Sequence, residues 1–412
     1  MPSPRPLATK AEAAYTPDVR FADRDVLSLA LMDTRNYTLA LFDGFAPLAP
    51  TQYRVPYEPG LNLPLWELAH VGWFQEWWCT RWSSAEQRPT TASLLNNADQ
   101  LLDSRSVPHQ ARWELELPAL DAVKTYLADS LERVLDTLSD AANTDEALYF
   151  YRLCVLHEDM HAEAFAYSLQ ALGLKPPIGL RESSGAQTLR PPVLLPPTRH
   201  KFGAAAGGAG GTAGFCFDNE KWQHEVSVPE FEIDAQPVTW AEFAEFIGDG
   251  GYDDLLHWTK DGREWLAQSA RRTPLYVEQA RQSVLVTRNG SAVRVHQHEP
   301  VRHVTLWEAQ AYARWAGRRL PTEVEWEVAA VNAARQGFTW GQVYEWTASA
   351  FTPFSGFVAD PYKEYSEPWF HSHQSVRGAS FATSPRLRYP QFRNFYMPNR
   401  DDIFVGFRTC AL

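Results

Sequence analysis

LHEDMHAEAF, residues 156–165, lies inside the longer stretch EALYFYRLCVLHEDMHAEAFAYSLQALG (146–173). Apolar residues recur there at helical spacing, so the stretch reads as one long helix that stops near Gly173, before Lys-Pro-Pro. On such a helix His157 and His161 stand four residues apart and project from one face, one turn from each other. Their neighbours Cys154, Val155, Leu156, Phe165 and Tyr167 are largely apolar. An imidazole buried in that setting needs a partner, and two on one face suit a single metal ion.

Three upstream segments carry the same period: VLSLALMDTRNYTLALF (26–42), LPLWELAHVGWFQEWWCTRW (63–82) and DAVKTYLADSLERVLDTLSD (121–140). In the last, Val123, Tyr126, Leu127, Leu131, Val134, Leu135 and Leu138 form one stripe. Four such helices predict an antiparallel bundle over residues 20–185. The connection between the second and third is long and contains SVPHQARW (106–113).

Beyond the bundle the pattern changes. RPPVLLPPTRH (190–200) and the glycine run GAAAGGAGGTAG (203–214) read as a linker and surface loop over 186–214. From 215 to 412, short β-type pieces such as HEVSVPEFEID (224–234) and SVLVTRN (283–289) alternate with turns. Only TWAEFAEFIGDG (239–250) and TLWEAQAYARWAGR (305–318) read as helices there. The second half is therefore expected to be a loop-rich α+β domain, the kind of scaffold that shapes a pocket.

The bulk numbers fit two or three globular domains in 412 residues, 45% hydrophobic and 21% charged. A net charge of −12 without a long Lys/Arg run argues against nucleic acid or an anionic membrane as partner. The four cysteines form no C-x-x-C pair. MPSPRPLATKAEAAY at the N-terminus has no apolar signal core, and no run is long enough to cross a bilayer. A reduced, cytoplasmic setting is the expectation. Sixteen tryptophans are many for this length, and their faces can hold flat or cationic ligands as well as fill cores.

His-Glu-x-x-His is best known from zinc peptidases, with the Glu (here Glu158) as general base. That reading wants a His six residues past His161, where Tyr167 stands, or a Glu on a following helix. Glu182 follows a Pro-Pro break. His70 is the better candidate for a third ligand. It is the one His of the second helix, among Trp66, Trp73, Phe74 and Trp77, and facing helices of a bundle supply ligands across the core. Three neutral imidazoles suit Fe(II), Zn(II), Ni(II) or Cu(II). Octahedral iron would keep about three open positions for substrates and O2. Glu158 and Glu163 are then candidates to accept the imidazole N–H groups.

At this point the chain resembles a known family. The helical half with His70 and HEDMHAEA resembles the DinB-type bundle. The second half resembles the formylglycine-generating-enzyme fold, which is C-type-lectin-like, through FDNEKWQHEVSVPEFEIDAQPVTWAEFAEFIGDGGY (217–252), PVRHVTLWEAQAYARWAGRRLPTEVEWEVAA (300–330), GQVYEWTAS (341–349), SVRGASFAT (375–383) and FRNFYMPNRDDIFVGFRTC (392–410). Together they are similar to the non-heme iron sulfoxide synthases of ergothioneine biosynthesis. The resemblance implies Fe(II) held by His70, His157 and His161, with hercynine (trimethylhistidine), a sulfur or selenium donor and O2 as substrates. It further implies a bond from the chalcogen to imidazole C2, leaving an S- or Se-oxide. It implies a tyrosine as proton donor, assigned to Tyr362, with Tyr365, three residues on, as a substrate contact. Asn394, beside Phe395, matches the polar contact to hercynine.

Two departures from the family pattern bear on the donor. Met160 stands where the γ-glutamylcysteine users commonly have Gln. RNFY (393–396) replaces RNWD, so Tyr396 occupies the place of an Asp that reads an ammonium. A phenol suits a neutral, hydroxyl-rich partner, and HEDMHAEA resembles the selenoneine-synthase branch, whose donor is a selenosugar. Hercynine plus a selenosugar is the favoured expectation, with γ-glutamylcysteine or cysteine as the alternative. Arg105, in DSRSV, is a further candidate donor contact, weighed against plain solvation at the surface. The rivals are a zinc peptidase, a cysteine-oxidising formylglycine generator and a lectin-like binding module.

Overall fold

The computed structural model describes residues 18–177, 185–205, 214–280 and 283–412. Glu182 and residues 206–213 of the glycine run lie outside them. The first half holds helices α1 (Arg24–Phe42), α2 (Pro64–Glu76), the short α3 (Ala98–Leu102), α4 (Leu120–Asp140) and α5 (Asp145–Ala171), with a small hairpin of β1 (Trp82–Ser83) and β2 (Arg88–Pro89) after α2. Asp23 caps α1 by accepting from Val26 N, and Thr144 caps α5 by accepting from Ala147 N. α1 packs on α5 and α4, and α2 on α4 and α5, which makes the expected four-helix bundle. α4 buries Val123, Tyr126, Leu127, Val134 and Leu138 as its stripe requires, while Leu131 and Leu135 at its edge are half-buried. α2 differs: all thirteen residues are buried, and it ends in a π-helical turn, Trp77–Arg81.

The second half begins earlier than the composition suggested. β3 (Val193–Leu195) and β4 (Thr198–Phe202) lie in the stretch expected to be linker, yet they pair with β6 (Phe231–Ile233) and β5 (His224–Val228). The β-type piece 224–234 is two strands because Pro229 has no N–H to continue a ladder. Among the described residues four helices follow where two were expected: α6 (Trp240–Gly248), α7 (Lys260–Ser269), α8 (Leu306–Trp315) and α9 (Glu323–Asn332). α9 has a full capping box between Thr322 and Glu325, a signal the sequence carried. α7 has Gly262 in its first turn and a charged face, which hid it.

β7 (Val277–Ala280), β8 (Val284–Arg288) and β9 (Ser291–Arg294) form a three-stranded sheet. The central sheet runs β12-β11-β10-β13, from β10 (Tyr344–Ala350), β11 (Gln374–Gly378), β12 (Asn394–Tyr396) and β13 (Val405–Phe407), with only the β10–β13 pair parallel.

Side chains of α5 join the halves. Gln170 donates to Thr287 O (3.0 Å) and accepts from Asn289 N (2.9 Å), while Asn289 Nδ2 donates to Leu174 O (2.7 Å). Asn289-Gly290 is the turn of the β8–β9 hairpin, with positive φ at both residues. A Cβ on Gly290 would stand 2.5 Å from Gly173 O, so only glycine lets this turn dock on the end of α5. Gly290→Val is expected to lower stability by about 1–3 kcal/mol through that clash and the left-handed backbone. Urea unfolding checks this, and an unchanged midpoint would refute the contact.

Candidate metal centre

α2 and α5 bring three imidazoles together. One ligand atom from each of His70, His157 and His161 lies within 4.8 Å of the other two, and among the described residues this is the one such group of metal-ligating side chains. Ring centroids are 5.4 Å apart for His70–His157, 5.1 Å for His70–His161 and 4.5 Å for His157–His161. His70 stacks between Trp66 and Trp73, and His157 lies flat on Phe74 at 3.5 Å. Burial, reinforced by the neighbouring imidazoles, holds His70 and His157 well below the ordinary histidine range. Both are therefore neutral, with a lone pair to offer.

The tautomers follow from what the other ring nitrogens touch. His70 Nδ1–H donates to Leu102 O (2.8 Å), a carbonyl that the end of α3 leaves unused. His161 Nδ1–H donates to Glu67 Oε1 (2.7 Å). In both rings Nε2 is left to face the cluster. The His157 imidazole has no hydrogen bond among the described residues and is 4% exposed. An imidazole held this way, with no protein group on its nitrogens, is suited to a metal ion. Glu67 was missed by sequence reasoning, although it lies three residues before His70, on the same face of α2.

Two expectations about carboxylates are corrected here. Glu158 does not reach an imidazole; it accepts from Arg35 Nε (2.8 Å) and Gln75 Nε2 (2.5 Å) in a buried network linking α5, α1 and α2. Position i+1 points about 100° away from His157 around the helix. That also removes the general base of the peptidase reading. Glu163 accepts from Thr383 (2.8 Å), Tyr344 (3.3 Å) and Ser380, so it ties α5 to the second half rather than to the imidazoles. Burial raises its carboxyl above the ordinary range against the pull of those hydroxyls.

The loop 360–366 of the second half reaches the cluster. The Tyr362 ring packs edge-on against Phe74 (4.9 Å) and lies 6.2 Å from His157. Burial, and then Glu364, push its phenol up to about 12. Tyr365 stacks on Phe217 and donates to Met160 Sδ (3.7 Å), so it stands beside α5 and further along it. Asn394 Nδ2 donates to Tyr396 Oη (3.3 Å), Asn394 Oδ1 accepts from Phe395 N, and Phe395 stacks on Phe351 at 4.1 Å. Arg105 is not a solvated surface side chain. It forms a bidentate pair with Asp103 (2.7 and 2.8 Å) and lies over the Trp77 ring, close enough to Tyr362 to oppose the rise of its pKa.

The DinB superfamily profile matches residues 30–164, and that of the sulfatase-modifying factor enzyme 1-like domain matches 180–342. A hercynine oxygenase of Mycolicibacterium smegmatis is 32% identical, over 92% of this chain and 96% of its own length. One from Mycolicibacterium thermoresistibile is 31% identical, over 93% and 94%. A formylglycine-generating enzyme of Mycobacterium tuberculosis matches 29% of this chain at 32% identity. The chain belongs to the hercynine oxygenase family.

Within that family fold the three-imidazole cluster suits a divalent transition ion, since three neutral nitrogen donors satisfy Fe(II) and leave positions for exchangeable ligands. Glu67 would orient His161 and raise its basicity. Glu67→Gln is expected to weaken Fe(II) binding roughly 10–100-fold, measured by competition with a chromophoric chelator. His157→Ala is expected to abolish iron binding and turnover, and retained full activity would refute the ligand set.

Proposed function

We propose that this chain is an O2-dependent non-heme Fe(II) oxygenase that joins a chalcogen to C2 of the hercynine imidazole, with a selenosugar as the favoured donor. The observation that carries the reading is the convergence of three imidazoles within 4.8 Å, two buried and one half-buried, with the Tyr362 phenol on the same Phe74 ring that stacks on His157. The relatives' names supply hercynine as the substrate to test. Bound to His70, His157 and His161, Fe(II) would supply redox chemistry with O2.

The chain's own residues do the rest. Tyr362 stays protonated across the physiological range and donates a proton at the reacting chalcogen or oxygen. Phe74, Trp78 and Phe150 form an aromatic wall on the Tyr362 side, suited to a trimethylammonium that cannot donate a hydrogen bond. Asn394 supplies a polar contact to hercynine. Burial keeps Tyr396 protonated as well, so with Met160 it offers neutral groups that suit a hydroxyl-rich sugar. The thiol alternative, γ-glutamylcysteine or cysteine, would draw instead on Arg400, whose guanidinium lies 5.4 Å from the Tyr396 ring.

Fe(II)-loaded protein, anaerobically premixed with hercynine and each donor in turn and then given O2, separates the two. Mass spectrometry is expected to find the selenium adduct as the main product. A product formed only from γ-glutamylcysteine would overturn the donor assignment. Tyr362→Phe is expected to slow turnover about 100-fold or more while hercynine affinity holds; loss of binding would make Tyr362 a recognition residue instead.

A further inference from the structure

The segment DPYKEYS (360–366) carries both candidate phenols, and one buried carboxylate spans its two ends. Asp218, 2% exposed, lies in the short turn Asp218–Glu220. Its Oδ1 accepts from the Ser366 hydroxyl, and its Oδ2 accepts from the Asp360 backbone N–H at 3.4 Å. The Asp360 carboxylate in turn accepts from Tyr149 Oη on α5 and from Lys221 Nζ, each at 2.7 Å. Between these anchors Lys363–Tyr365 makes one 3-10 turn, closed by Tyr365 N to Tyr362 O at 3.1 Å.

We propose that Asp218 is a positioning residue, a clasp that fixes the Tyr362 loop at the distance from the three imidazoles that proton donation needs. The proposal rests on the reading of Tyr362 as proton donor. A loop of seven residues free between its ends would spread the phenol over many positions, and ordering it at each turnover would raise the barrier. Asp218 removes that freedom beforehand by holding residue 360 and residue 366 through one rigid group. Tyr149 sets the loop against α5 itself, eight residues before His157, so the helix that presents two imidazoles also gauges the phenol. A buried carboxylate is a costly way to tie a loop: burial pushes Asp218 up to about 6, against the pull of Ser366 and Lys221. Packing alone would use an apolar residue there.

Asp218→Asn places an amide donor where two donors now converge, and Ser366→Ala removes one strut without touching the carboxylate. Hydrogen exchange of the full chain, read by mass spectrometry, is expected to rise roughly tenfold in the peptide over 360–366, with peptides of α5 unchanged. In iron-loaded protein, kcat with hercynine is expected to fall roughly 10–100-fold with KM little moved. Combining Asp218→Asn with Tyr362→Phe is expected to slow turnover no further than Tyr362→Phe alone, because both remove one contribution. Unchanged exchange in both single variants, or losses that multiply in the double variant, would overturn the proposal. Should Asp218→Asn fail to fold, Ser366→Ala carries the same comparison. Wild-type protein inert toward hercynine would sink the reading of the reaction, and with it the role of the phenol, while the exchange result would still decide whether Asp218 holds the loop.

Discussion

A helix with no solvated face cannot leave a polar side chain unpaired, and α2 is such a helix. Every polar group it buries has a partner that fixes a neighbour. Glu67 takes the His161 N–H, His70 donates to the end of α3, and Gln75 joins Glu158 and Arg35. Glu76 accepts from Ser93, Leu94 N and Tyr126. Leaving any of these groups unsatisfied would cost about 1–3 kcal/mol. The pairing of α2 with α5 is therefore specified by hydrogen bonds as well as by shape, and the register that satisfies them also brings His70 opposite His157 and His161.

The second half is held to the same helix by charge and hydroxyl contacts. Asp159 forms a bidentate pair with Arg386 (2.6 and 2.7 Å), which also reaches Asp33 on α1. Glu163 gathers Ser380, Thr383 and Tyr344. Tyr149 holds Asp360, and Gln170 holds the β8–β9 turn. These acceptors and donors are spread along α5 from one end to the other, so the cluster of imidazoles and the loop that carries Tyr362 share one rigid ruler. Groups divided between two folds need that rigidity, because a shift of an ångström at such a seam is enough to misplace one against the other.

Much of this was legible from residue spacing. The bundle helices and the shared face of His157 and His161 follow from period alone, and the isolated His70 within an apolar helix pointed across the core. What spacing could not do was orient carboxylates. Glu158 and Glu163 neighbour the histidines in sequence but face Arg35 and the second half, whereas Glu67, some ninety positions away, accepts the His161 proton. α7 and α9 escaped notice because short helices with glycine or dense charge lack a clear apolar stripe. β3 and β4 hid in proline-rich text because their partners lie thirty or so residues further on.

The sequence by itself determined which side chains are chemically able to act: two histidines one turn apart, a third in an apolar helix, and a pair of phenols at 362 and 365. These are properties of local period and residue type, which the chain carries wherever it folds. Only the tertiary structure decided which nitrogens are free, which carboxylate supports which ring, and that one buried aspartate grips both ends of the loop bearing Tyr362. Those depend on contacts between residues dozens to hundreds of positions apart, and burial makes such contacts compulsory without naming the partner in advance.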